Sequence, residues 1–91
     1  MTGIPGGIVQ TDNLPNEIVK FIYSKLKQGY TILNITNIKT QVVSGVMYYF
    51  DIRVLDNSTN KIHNYQMGIW SQPWMNPPYK IENLTPVSTE N

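Results

Sequence analysis

A chain of 91 residues and 10.4 kDa makes one domain, residues 1–91, with a single modest core and little room for an enclosed reaction chamber. With no cysteine and one histidine, it cannot build a disulfide framework, a thiolate metal site or a cysteine nucleophile, and it has thin material for a zinc triad or a Ser-His-Asp arrangement. Its formal charge is +1 and only 14% of its residues are charged, against about 25% in an average globular chain, so no strong field favours nucleic acid or an anionic membrane; composition points to a small binding module without a cofactor rather than an enzyme.

Residues 1–14 contain Gly and Pro and lack periodicity, which predicts a flexible N-terminal arm. No stretch reaches the roughly 18 apolar residues of a membrane span. Met1–Gly7 has neither the basic start nor the apolar centre of a signal peptide. Together with the absence of cysteine, this predicts a cytoplasmic protein, the alternative being the mature form of a secreted one. Pro15 stands where a first helical residue is expected, Glu17 suits the helix dipole, and Gly29 marks a stop. Between them Ile18, Phe21, Ile22 and Leu26 recur at helical spacing, away from Lys20, Lys25 and Lys27. The pattern predicts an amphipathic helix of about three and a half turns.

From Tyr30 the period becomes two. Leu33 and Ile35 share one phase, Ile38, Thr40 and Val42 the other, and the slip near Thr36-Asn37 predicts a β-bulge. Gln41–Gly45 reads as a hairpin tip with Gly45 at positive φ. Val46, Tyr48, Phe50, Ile52 and Val54 then alternate with Met47, Tyr49, Asp51, Arg53 and Leu55. After a turn at Asp56–Asn60, His63, Tyr65, Met67 and Ile69 alternate with Asn64, Gln66, Gly68 and Trp70. His63 is expected at the core edge, with no ligand role. A second tip spans Ser71–Pro78, a short last strand starts at Tyr79–Ile81, and residues 86–91 read as a frayed tail. The layout is α+β: a single helix across the concave face of a curved antiparallel sheet of four to five strands.

Two of these loops carry apolar residues where polar ones belong: Val42 and Val43 beside Gly45, and Trp74 and Met75 between prolines. Both tips follow strands of the same direction, so they share one end of the sheet, which the arm can also reach. Large apolar groups on rigid turns suit a binding surface; alternatively Trp74 folds back over a sheet edge.

These residues carry a resemblance. Gln41-Val-Val-Ser-Gly45 resembles the Q-x-V-x-G signature of the cystatins, inhibitors of papain-like cysteine proteases, and Tyr48-Tyr49 is similar to its usual continuation. Pro73-Trp74 resembles the second-hairpin motif, and Trp70–Asn76 is especially similar to plant cystatins. Ile4-Pro-Gly-Gly7 looks like the N-terminal trunk of the cysteine-free stefins. The chain is thus stefin-like at its start and plant-like in its second loop.

The resemblance implies a reversible, tight-binding inhibitor whose partners are papain-like, cathepsin-type proteases. A wedge would enter the protease cleft: Ile4 and Pro5 in the unprimed subsites, and Gly6 passing the catalytic thiolate where a β-carbon would collide. Gly7 would serve beside it or simply lend flexibility. Val42, Val43, Ser44 and Gly45 would lie across the cleft centre, with Pro73 and Trp74 on the primed side. Gln41 is expected to stiffen the first tip through backbone hydrogen bonds, and Met75 to be a contact or a gap-filler. The alternative is a non-inhibitory protein-binding module of the same fold. The resemblance also implies a monomer able to form a domain-swapped dimer through the first tip.

Overall fold

Leu14 and Pro15 lead into the helix, and the structure, a computed structural model, describes residues 7–90. Helix α1 runs over Asn16–Lys25, with Pro15 as the residue before its first turn, φ −55° and ψ 143°. The Pro15 carbonyl accepts from the amides of Ile18 and Val19 at 3.0 and 3.2 Å, so the missing proline N–H costs the helix nothing. Glu17 in the first turn and Lys25 in the last suit the dipole. At ten residues the helix is shorter than the spacing predicts. Leu26 turns extended, with ψ 144°, and still packs against the core. The chain then reverses through Gly29, at φ +91°.

Five strands follow chain order across one antiparallel sheet: β1 Ile8–Gln10, β2 Tyr30–Val43, β3 Gly45–Asp56, β4 Lys61–Ser71 and β5 Tyr79–Glu90. The sheet is curved and α1 packs across it. Ile18 and Ile22 of α1 meet Ile38 of β2, Phe50, Ile52 and Val54 of β3, and Met67 and Ile69 of β4, with Leu14 closing one side. The even-numbered set on β3 and the odd-numbered set on β4 therefore face the helix, as their alternation predicts. Phe21 extends the contact to Tyr79 at the start of β5, ring centroids 5.4 Å apart.

The long β2 strand carries two irregularities. Thr36 pairs with Asp51 and Lys39 with Tyr49, so two residues oppose one. Asn37 sits there at φ 52° and its amide donates to Asp51 Oδ2 at 2.8 Å, which is the bulge expected from the phase slip. The other has no warning in the alternation. Ile32 pairs with Val54 and Asn34 with Arg53, leaving Leu33 as the extra residue. Leu33 is consequently exposed while Ile32 and Ile35 both pack against the core, correcting the expectation that Leu33 and Ile35 share a phase.

Both chain ends also differ from expectation. Residues 8–10, assigned above to the flexible arm 1–14, form β1: Ile8, Val9 and Gln10 pair with Gln41, Thr40 and Lys39. The Thr11 amide donates to Ile38 at 2.9 Å, and Leu14 is buried. A three-residue edge strand is too short to show a period, so only its partner reveals it. At the other end β5 continues through Pro86 to Glu90, which pairs with Ile62; the frayed tail predicted for 86–91 is strand through residue 90. Every position from Glu82 to Glu90 is exposed, because β5 is the sheet edge. Main-chain pairing and an Arg53–Glu90 ion pair at 3.1 Å hold this segment, whereas Tyr79 and Ile81 at the start of β5 pack against the core.

Candidate functional site

Strands β2 and β4 run the same way, so the β2–β3 turn and the β4–β5 loop project from one end of the sheet. The chain enters β1 at that end too, since Ile8 lies opposite Gln41. Three segments therefore converge: Gly7-Ile8, the first tip around Ser44, and the second loop over residues 72–78.

The first tip is as tight as a hairpin allows. Val43 pairs with Gly45, leaving Ser44 alone to turn the chain. Gly45 has φ +89°, a conformation that favours glycine. A second constraint acts on the same position. A β-carbon there would collide with the Ser71 carbonyl and stand 3.2 Å from Cη2 of Trp74. Glycine both turns the first tip and lets the second loop close against it. Val42 and Val43 remain 59% and 41% exposed, too much for core residues, and neither joins the core cluster.

The Gln41 side chain is half-buried, and its Oε1 accepts from the Tyr49 hydroxyl at 3.0 Å. That contact braces β2 against β3. Tyr48 packs toward the core, where burial and, secondarily, the neighbouring Tyr79 raise its hydroxyl pKa above the usual tyrosine value. Tyr49 occupies the outer face beside Gln41. In the second loop the Gln72 amide donates to Pro78 at 2.6 Å and the Met75 amide to Gln72 at 2.9 Å. Pro73 is exposed, and Trp74 and Met75 are 57% and 51% exposed. Of the two readings for Trp74, the ring leans on Gly45 of the other tip and leaves more than half its surface to solvent.

Gly7, Gln41, Val42, Val43, Ser44, Gly45, Pro73 and Trp74 thus gather at one end of the sheet. Ile4, Pro5 and Gly6 lie outside the described residues. Sequence reasoning missed two participants. Ile8 is 61% exposed on the edge strand, hidden in what read as arm. Trp70 lies out of phase with the core set of β4, and that phase was the available signal. Its Nε1–H donates to the Ser44 carbonyl at 2.7 Å, and its ring lines an open notch of about 300 Å³ with Val43, Met47 and Glu82. The one histidine, His63, sits toward the far end of β4, hydrogen-bonded with Thr89 at 3.2 Å and stacked on Tyr30. Among the described residues no cluster of histidine and acidic side chains could hold a metal ion. An apolar, hydrogen-bond-braced edge of this kind is equipped to dock.

The sequence profile of the cystatin domain matches residues 23–81, from the last turn of α1 to the start of β5. The chain belongs to the cystatin family. Among relatives, Cystatin-1 of Zea mays is 34% identical over 64 residues, covering 66% of this chain and 46% of the maize protein. Cysteine proteinase inhibitor 1 of Oryza sativa subsp. japonica is 39% identical over 41 residues, 45% of this chain and 28% of its own. Multicystatin of Solanum tuberosum is 33% identical over 79 residues, 78% of this chain and 10% of its own. The chain spans less than half the length of each of these three cystatin relatives. No solved structure matches. The likeness to plant cystatins agrees with the Pro73-Trp74 loop.

Proposed function

We propose that this cystatin is a reversible, tight-binding inhibitor of papain-like cysteine proteases, acting by wedge occlusion of the active-site cleft. The observation that carries the reading is the closure of the two apolar tips on each other: Gly45 against Trp74 and Ser71, and the Trp70–Ser44 hydrogen bond. Two relatives are named as cysteine proteinase inhibitors, which supports the same activity. Val42, Val43 and Trp74 present apolar surface at this end; the sheet fixes the main chain of the two valines, and the Gln72 and Met75 amides brace the loop that carries Trp74. A preorganised edge loses little conformational entropy on docking, so an interface near the usual ~800 Å² per partner suffices for tight binding. The wedge offers no strained scissile bond to the protease; Ser44 is the turn residue, and Val42 and Val43 are held in the β2–β3 ladder. Inhibition would be steric, and the inhibitor would be recovered intact.

Titration of papain at enzyme concentrations well above the dissociation constant tests this. Residual activity should fall linearly to zero at one inhibitor per active site, with no cleaved inhibitor in the mass spectrum. Full papain activity at a large excess of folded protein would leave the wedge as a docking edge for some non-protease partner.

A further inference from the structure

Trp70 stands on the outer face of β4, opposite Met47 of β3, where the core has no claim on it. Its ring reaches toward the tip instead, and its Nε1–H donates to the Ser44 carbonyl at 2.7 Å. Ser44 is the residue that turns the first tip without a ladder partner, so its carbonyl is the main-chain group most in need of an anchor. An indole N–H is donor-only and fixed in a rigid plane. It holds the carbonyl at one point, whereas solvent would leave the tip free to rock. The partner position matters as well: Trp70 precedes Ser71, whose carbonyl packs against Gly45. Two adjacent residues of β4 thus grip two adjacent residues of the first tip.

We infer that Trp70 is the positioning residue of the wedge: its indole N–H holds the first tip in the docking conformation without itself being the group that enters the cleft. The inference deepens the proposed inhibitory reading and rests on it. A positioning residue and a contact residue leave different kinetic marks. Losing a contact shortens the life of the complex and raises the dissociation rate. Loosening the tip lowers the fraction of molecules ready to dock, which lowers the apparent association rate and leaves the docked complex as it was.

The test uses Trp70→Phe, which keeps an aromatic ring over Met47 and removes the N–H, measured on the full chain. Amide hydrogen exchange at residues 43–45 should accelerate, and the association rate with papain should fall about three- to tenfold, as for one net hydrogen bond, with dissociation unchanged. Trp70→Ala should give the same kinetic pattern with a further loss of association. In the wild type, the Trp70 indole N–H should exchange more slowly than that of the exposed Trp74, a reading that stands even if a variant folds poorly. Equal exchange of the two indoles, unchanged exchange at residues 43–45 in Trp70→Phe, or an effect confined to dissociation would each overturn the inference. If the wild type fails to inhibit papain, the inhibitory reading falls, while the exchange measurements still decide whether Trp70 orders the tip.

Discussion

The two ends of this sheet solve the same problem with opposite chemistry. At the far end, β3 turns into β4 through Asn57–Asn60, and polar groups close the turn. The Asp56 carboxylate accepts from the Ser58 amide and hydroxyl at 3.0 and 2.7 Å, with the hydroxyl bond as the main cause of its lowered pKa. The Asn57 side chain donates to the Gly29 carbonyl at 2.7 Å and to Thr31 at 3.0 Å, fastening this turn to the α1–β2 loop. At the near end the turns present Val42, Val43, Trp74 and Met75 to solvent and are held to each other by a glycine contact and an indole hydrogen bond. Solvated polar turns need no further partner. An end that spends its polar groups on bracing and exposes its apolar ones is built for a surface still to come.

The largest effect should come from opening the near end. The first tip joins a 14-residue strand to a 12-residue strand through Ser44 and a left-handed Gly45. If that tip extends, β1, α1 and β2 of one chain can pair with β3 of another, and every ladder contact is remade. The straightened segment would lose the Gly45–Trp74 closure. Heating close to the unfolding transition at high concentration, then cooling, should give a slowly dissociating dimer on gel filtration that does not inhibit papain at all. A dimer inhibiting fully per chain would place the hinge elsewhere.

Next in size is Trp74→Ala. A half-exposed indole at the edge should contribute little to folding and much to docking. Papain inhibition is expected to weaken by about 2–4 kcal/mol, or roughly 30- to 800-fold, as for an interface anchor, chiefly through faster dissociation. The melting temperature should barely move. A variant that melts much earlier yet inhibits normally would make Trp74 a structural residue.

What was legible in the sequence divides along similar physical lines. Strands β3 and β4 are central and half-covered by α1, so Phe50, Ile52, Val54, Met67 and Ile69 printed an alternation that could be read directly. The bulge at Asn37 printed a phase slip because apolar residues flank it on both sides. The Leu33 bulge did not, since Ile32, Leu33 and Ile35 are all apolar and any phase fits them. Strands β1 and β5 lie at the edges, where main-chain pairing decides and side chains are free, so β1 read as arm and β5, recognised at Tyr79–Ile81, read as tail from Pro86. The near end was legible through residues in the wrong place, Val42, Val43 and Trp74. Trp70 was visible as an outward aromatic, but its service to Ser44 depends on a cross-hairpin distance that no spacing encodes.

The far end should answer mutation in the opposite sense. Asn57→Ala removes two side-chain hydrogen bonds that tie the β3–β4 turn to the α1–β2 loop. Stability is expected to fall by about 1–2 kcal/mol, read from urea denaturation at unchanged m-value. The inhibition constant for papain should stay where it was, because the tips sit at the other end of two long strands. An Asn57→Ala chain that inhibits tenfold worse while remaining folded would show the ends to be coupled and the contrast between them false.

The smallest effect concerns the end of β5, which the sequence left as a tail. Glu90 accepts from the Asn64 amide at 2.7 Å and takes a bidentate contact from Arg53; the Asn64 bond first, then Arg53, holds its carboxyl below the usual glutamate value. A folded-state value depressed below the unfolded one means that the charged form favours folding. The contribution is complete above the ordinary glutamate range, near pH 4.3, and disappears as the pH drops through the lower folded value. Glu90→Gln should therefore melt slightly below the wild type at pH 7, and the gap should close in acid. Both partners are substantially exposed, so added salt should narrow the gap as well. A gap that persists unchanged at pH 2 and in high salt would assign the contribution of Glu90 to its packing rather than its charge, and this end of β5 would then be held by main-chain pairing and the neutral side-chain bonds of Ser88 and Thr89.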